Sequence, residues 1–493
     1  MSLPPAAFAD LQRIFAAAAL STDAAECLVY GYDNSRRQMA PDAVVFPTTH
    51  EQVVALVRAC RTHHVPLTAR GRGTNTTGAS VPLDGGVIAS FERMNRVLRI
   101  DPDNRLAVVE PGLLNDDLQT ALAAHGLFWA PDPTSAPYCT IAGNIACNAG
   151  GPRAVKYGAT RDNVLALRAV AGTGEDFRCG KPTTKGATGY DLTRLLIGSE
   201  GTLAIVTEAT LKLTPLASAK RTLRATYTDV AAAAKAVARI MAQPVTPCAL
   251  EFLDDQCLLL ARAQGGAAIP LGPRTAAGRI DLPSSKRGRS WPAGPDEGGK
   301  PADSWPCAGA MLIIEVDGES DALVSAIDAV SRAARGDGLI ELQVATNADE
   351  VATLWAARKA LSPALRTLSP NKINEDVVVP VSRMPELIAA TRELAARYAL
   401  PIVCFGHAGN GNLHVNLLPR DDAELARAHD ALSEIFDAVI RLDGTLSGEH
   451  GIGITKRDFM PRALDANALA LMRRIKAQFD PDGILNPGKL LPD

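Results

Sequence analysis

Three of the eight histidines in this 493-residue chain lie in two glycine-rich stretches of its last hundred residues. The first stretch is His407-Ala408-Gly409-Asn410-Gly411-Asn412-Leu413-His414-Val415-Asn416, and the second is Ser447-Gly448-Glu449-His450-Gly451-Ile452-Gly453. Neutral imidazoles and a carboxylate are ligands for a divalent metal. His407, His414 and Glu449 would fill three positions and leave others open for substrate. His450, one residue from a ligand, then stands where a general base could act. Glycine-fenced histidines also occur as ordinary loop residues, and the sequence does not say whether the two stretches meet in space. Upstream, Arg358 could grip a substrate carboxylate through its planar fork, with Lys372 adding a point charge. A surface Arg and a surface Lys are the plain alternative.

These residues need elements to hold them. The glycines of the first stretch rule out a helix, so it reads as a loop running into a short strand. On that strand His414 and Asn416 share a face, and His407 can return to it through the glycine bends. A strand over 401–405 delivers the chain to His407, after a helix over 385–399 that opens at Pro385. A helix over 347–362 carries Trp355 and Arg358, and Lys372-Ile373-Asn374-Glu375-Asp376 enters a strand over 377–380. Before these come two β-α-β units, 222–228/229–242/248–253 and 310–316/319–334/338–344, which suggest a ferredoxin-like sheet with helices on one face. Between the units, 264–309 is rich in Gly, Pro and Ser without periodicity and reads as a mobile surface insertion. Its Lys286, Arg287 and Arg289 offer a docking patch as the alternative to a solvated loop.

The first half has its own pattern. Helices are expected over 5–19 and 23–31, a strand over 44–47, a helix to His64 and a strand over 66–69. That strand runs into Arg70-Gly71-Arg72-Gly73-Thr74-Asn75-Thr76-Thr77-Gly78, whose backbone N–H groups can form an anion nest suited to a pyrophosphate. GxGxxG opening a helix is not met, which disfavours a Rossmann nicotinamide site. Strands follow at 86–90, 96–100 and 105–110, then a helix over 113–125. The run Thr140-Ile141-Ala142-Gly143-Asn144-Ile145-Ala146-Cys147-Asn148-Ala149-Gly150-Gly151 could lie against a flat ligand and hydrogen-bond its edge, or form a small-residue helix packed on a sheet. Strands are expected at 164–171, 203–207 and 209–213.

Composition excludes several classes. A net charge of −3 offers no general field for nucleic acid, so no nucleic-acid partner is expected. The nine cysteines are scattered and contain no CxxC, against an iron–sulfur cluster or a structural zinc finger. No apolar run reaches a membrane span, and the first residues lack a signal-peptide pattern. The expected setting is cytoplasmic, with room for peripheral contact with the inner membrane.

RGRGTNTTG, PDPT with TIAGNIACNAGG, and IGSEGTLAIVTEATLKL, taken in that order, resemble the FAD domain of the vanillyl-alcohol-oxidase/PCMH flavoproteins. GHAGNGNLHVN, SGEHGIG and DPDGILNPGKLLP resemble the C-terminal domain of the FAD-linked D-2-hydroxyacid dehydrogenases. That group holds D-lactate dehydrogenases, D-2-hydroxyglutarate dehydrogenases and the glycolate oxidase flavoprotein subunit. The resemblance implies an α+β fold: a helical segment over 1–39, a PCMH-type FAD domain over 40–217, a ferredoxin-like cap over 218–418, and a helical segment over 419–493 returning to the flavin domain. It implies FAD contacts from Arg70, Gly71, Arg72, Gly73, Thr74, Asn75, Thr76, Gly78, Pro131, Asp132, Thr134, Thr140, Gly143, Asn144, Asn148, Gly150, Glu200, Gly201, Ile205 and Asn486. Thr74 stands where some members tether the flavin through histidine, so the FAD is expected to be non-covalent. His407, His414 and Glu449 would bind Zn, with Mn or Fe as alternatives. His450 would be the base, and Arg358, Ser362, Lys372 and Asn416 would contact substrate. Ser362 stands where 2-hydroxyglutarate enzymes carry Thr.

The expected activity is oxidation of a D-2-hydroxy acid, D-lactate first, to the 2-oxo acid. Electrons would pass to a quinone, a cytochrome or an electron-transfer flavoprotein, and a homodimer is allowed. D-2-hydroxyglutarate and glycolate are the alternative substrates. Two other classes stay open: a metal-dependent hydrolase, and a flavin-carrying subunit silent outside an assembly.

Overall fold

The computed structural model describes residues 3–263 and 308–492. Lys286, Arg287, Arg289 and nearly all of the 264–309 insertion lie outside the described residues. The chain divides into two compact units, one of Met1–Leu216 with Leu446–Asp493 and one of Ala217–Thr445.

The first unit holds two principal sheets. In one, the strands Ala43–Val45, Val87–Ser90 and Leu67–Arg70 run parallel, with Leu20–Ser21 antiparallel at the edge. The helix His50–Thr62 crosses over between them. Thr49 caps it by accepting from the Gln52 N–H, and Val53, Leu56, Val57 and Cys60 form its buried stripe. The second sheet is five-stranded and antiparallel, with Ala204–Lys212 at its centre. The two short strands expected over 203–213 are this one strand, which absorbs a register shift between Val206 and Glu208. The small-residue run holds a helix. Ile141–Cys147 is a two-turn helix capped by Thr140 and ended by Asn148 in a left-handed conformation, with Ile141 and Ile145 in the core.

The second unit is built on one seven-stranded antiparallel sheet. Its order is Leu339–Val344, Ala219–Tyr227, Ala310–Gly318, Ala249–Asp254, Ile402–His407, Asn412–Leu417, Ile373–Val378. The first four are the two expected β-α-β units in ferredoxin-like order. Helices cover both faces rather than one. Val230–Ala242 and Ser320–Ala334 pack on one side, where the Tyr227 hydroxyl donates to the Ala334 carbonyl. Asp255–Ala263 and Ala348–Leu368 pack on the other, over Leu253, Met311, Ile313, Val403 and Phe405. Ala348–Leu368 continues past Pro363, because burial of Ala364 and Leu365 offsets the hydrogen bond that proline removes. The last strand begins at Ile373, earlier than expected, so Asn374 and Asp376 are ladder residues opposite Asn416 and His414. The helix Asp422–Arg441 packs within this unit, against Met384–Arg397 and Ile373–Val378. Among the described residues no helix is long and apolar enough to cross a membrane.

Candidate active site

In the second unit the chemistry collects at one end of the sheet face under Ala348–Leu368. Phe405 and His407 alternate with residues on the far face, His414 lies opposite Phe405, and Glu251 lies opposite His407. The hairpin between the two histidine strands turns through Gly411 at φ +69°. A Cβ there would stand 1.9 Å from the Val379 carbonyl oxygen, so only glycine fits. The hairpin sets the His407 and His414 rings edge to face, 5.3 Å between centroids at 85°.

Glu251 was not singled out in the sequence. It is 0% exposed, in the middle of the apolar strand Ala249–Asp254. Its Oε1 accepts from His407 Nδ1 at 2.5 Å, and its Oε2 accepts from Arg358 Nε at 2.7 Å. Burial pushes its carboxyl up, but the charges and hydrogen bonds of His407 and Arg358 outweigh burial and hold it below the usual carboxylate range. Arg358 is therefore engaged inside the protein, with its guanidinium also over the Phe405 ring at 4.6 Å. One turn on, the Ser362 hydroxyl accepts from Lys372 Nζ at 3.0 Å. Asn416 donates to the Val403 and His414 carbonyls, while its buried Oδ1 has no partner among the described residues. Of the expected substrate and metal residues, the second unit thus places His407, His414 and Asn416 on one face, Arg358 joined to His407 through Glu251, and Ser362 joined to Lys372.

The donor set fits a divalent cation. An ionised Glu251 keeps the His407 proton on Nδ1, which leaves Nε2 as the nitrogen with the lone pair.

In the first unit the 447–453 loop carries Glu449 and His450. Gly150 lets the Glu449 carboxylate approach its backbone, and a Cβ there would meet Glu449 Oε2 at 3.2 Å. His450 Nε2 lies 4.0 Å from Glu449 Oε1. Of the residues expected at the flavin, Asn75 and Glu200 bond to this loop, and Asn486 bonds to Glu200. Asn75 Nδ2 donates to the His450 carbonyl at 2.9 Å and also reaches Cys147 Sγ at 3.3 Å. Glu200 accepts from the Ile452 and Gly453 N–H groups at 2.5 and 2.8 Å. Asn486 Nδ2 donates to the Ala79 and Glu200 carbonyls. Burial pushes the Glu200 carboxyl up to about 7 despite those backbone donors. Arg70 turns inward, where its Nη1 donates to the Tyr32 carbonyl at 2.6 Å. Thr76 Oγ1 and Asn144 Nδ2 are buried with no hydrogen-bond partner among the described residues. They lie in the two segments expected to hold FAD, so the residues fit a polar ligand there.

The model of FAD linked oxidases, C-terminal domain, matches residues 216–490, and that of the FAD binding domain matches residues 41–180. Glycolate oxidase subunit GlcD of Bacillus subtilis (strain 168) is 38% identical over 466 residues, covering 94% of this chain and 92% of the relative. D-2-hydroxyglutarate dehydrogenase of Stutzerimonas stutzeri (strain A1501) is 31% identical over 493 residues, covering 99% of each chain. A solved structure of p-cresol methylhydroxylase with substrate bound matches with a TM-score of 0.76 at 17% identity, over 98% of this chain and 96% of that one, which shows a shared fold. This chain belongs to the FAD-linked oxidases and is an oxidoreductase, with a PCMH-type FAD-binding domain followed by the family's C-terminal domain.

Proposed function

We propose that the chain oxidises a small D-2-hydroxy acid, D-lactate first among candidates, to the 2-oxo acid. FAD, non-covalently bound, would accept the substrate's Cα hydride at N5. A divalent cation held by His407, His414 and Glu449, with zinc the first choice, would lower the pKa of the 2-hydroxyl. His450 takes the hydroxyl proton and must be neutral to do so. Arg358 and Lys372 hold the C1 carboxylate, and Ser362 and Asn416 line the side-chain end. The electron acceptor would be a quinone, a cytochrome or an electron-transfer flavoprotein.

The observation that supports this most is the buried Arg358–Glu251–His407 chain beside His414. It gathers a guanidinium, able to bind a carboxylate, and two imidazoles, able to bind a cation, at one sheet face. Membership of the FAD-linked oxidases removes the hydrolase reading. The subunit reading stays, because the GlcD relative is named as a subunit.

The test is anaerobic bleaching of the flavin with D-lactate, glycolate, D-2-hydroxyglutarate and D-malate. Rapid bleaching by one acid is expected, with D-lactate fastest. His450→Ala should keep its flavin and lose bleaching at least about 100-fold, the usual range for a removed base. A yellow protein that no 2-hydroxy acid bleaches refutes the substrate class.

A further inference from the structure

We propose that Glu251 is the positioning residue of this site, one carboxylate that sets both the ligand nitrogen of His407 and the aim of Arg358. The inference rests on the reading of His407 as a cation ligand and of Arg358 as the carboxylate anchor, and it adds what holds each in register. The two oxygens are divided between the two tasks. Oε1 takes His407 Nδ1 at 2.5 Å, and Oε2 takes Arg358 Nε at 2.7 Å. Each partner is then left with one orientation. With Nδ1 donating, His407 must present Nε2 as the lone-pair nitrogen. With Nε donating and the guanidinium plane against Phe405 at 4.6 Å, Arg358 presents its Nη atoms as the donors for a substrate carboxylate.

A purely structural role explains this poorly. A wholly buried charge flanked by Leu250, Phe252 and Leu253 is no gain in stability over an apolar residue of similar size. A fixed tautomer and a fixed fork are what a carboxylate supplies and a leucine cannot. The same strand also keeps the device rigid, since it pairs on one side with Ala310–Gly318 and on the other with Ile402–His407.

The discriminating variant is Glu251→Gln. The amide oxygen can still accept from Arg358 Nε, but the amide NH₂ then faces His407 Nδ1. An NH₂ group cannot accept, so Nδ1 must become the acceptor and the proton must move to Nε2. The readout is ¹⁵N NMR of the histidine rings in the full, FAD-loaded, chelator-treated protein, with His407→Ala identifying the resonance. In the wild type, His407 is expected as the Nδ1–H tautomer, and in Glu251→Gln as Nε2–H. Zn²⁺ affinity of the same samples should fall about 10–100-fold in the variant, as for other lost partners of ligand histidines. FAD content should stay unchanged. A ring that keeps its Nδ1 proton in the variant, or Zn²⁺ binding as tight as in the wild type, overturns the proposal. A wild type that binds no Zn²⁺ while the tautomer still switches sinks the metal reading and leaves the assignment of Glu251 standing. Should Glu251→Gln not fold, Glu251→Asp keeps the charge but withdraws it by one methylene. Zn²⁺ affinity equal to wild type in that variant also overturns the proposal.

Discussion

Two buried glutamates, one in each unit, do opposite things with the same side chain. Glu251 faces the Arg358 guanidinium and the His407 ring, and its carboxyl is held below the usual range. Glu200 faces two backbone N–H groups, with Lys456 and Lys489 contributing only through space, and burial lifts its carboxyl to about 7. Burial opposes ionisation of both. A full charge at hydrogen-bond distance helps to overcome it, whereas two amide dipoles do not. The first unit therefore uses its glutamate as a clamp on a loop. Gly451, at φ +85°, leaves room for that clamp, since a Cβ there would lie 2.5 Å from Glu200 Oε1. The second unit uses its glutamate to aim two side chains.

The comparison breaks most visibly if Glu251 does not depend on its partners. Arg358→Ala leaves the carboxylate buried with the His407 ring N–H as its remaining partner. Loss of one partner from a buried pair costs about 3–5 kcal/mol. Chemical denaturation at pH 7 should show that loss, together with a raised KM for the hydroxy acid. A variant as stable as wild type would mean that water or rearrangement reaches Glu251, and the contrast with Glu200 would vanish.

Glu200 should show its character in pH. The unfolded carboxyl releases its proton near 4.5, and the folded one near 7. Between those values the native state binds more protons than the unfolded chain. Stability from this group is thus complete below about pH 4.5, declines as pH rises, and is gone above about 7. The span is on the order of 3 kcal/mol. Hydrogen exchange at the Ile452 and Gly453 amides should therefore quicken from pH 5 to pH 7 by more than intrinsic exchange does. In Glu200→Gln that excess should disappear. An excess that persists in the variant assigns the pH dependence to another group.

How much of this was legible follows from the same chemistry. The ferredoxin-like units were readable because their helices and strands alternate with regular apolar spacing. The 407–416 hairpin was readable because glycine forbids the alternative. The start of the last strand was missed because Asn374 and Asp376 look like loop residues, yet they stand in the ladder opposite Asn416 and His414. A sheet face that carries a polar site inverts the inside-apolar rule. Glu251 left a signal that went unused. A carboxylate between Leu250 and Phe252 of an apolar strand has no cheap way to be buried, so it demanded a cation from elsewhere in the chain. What could not be read was which partners it meets. Arg358 is 107 residues away, and His407 is 156. Their meeting is a property of the seven-stranded order and not of any local pattern. The same holds for Asn75, whose side chain reaches the loop of His450 across 375 residues of sequence.

The smallest predicted effect sharpens the contrast within the second unit. Glu315, on the same face as Glu251, accepts from Trp355 Nε1 at 3.2 Å, Thr222 Oγ1 at 3.1 Å and Lys220 Nζ at 3.5 Å. Trp355 and Arg358 sit one turn apart on the same helix, so each ties it to a different glutamate. Trp355→Phe removes one neutral donor from a carboxylate that keeps others, and one lost hydrogen bond costs about 1 kcal/mol. Stability should fall by about that amount, with FAD content and Zn²⁺ affinity unchanged. A loss of Zn²⁺ affinity as large as that expected for Glu251→Gln would carry a different meaning. The seating of the helix Ala348–Leu368, and not the carboxylate beneath it, would then be what sets His407.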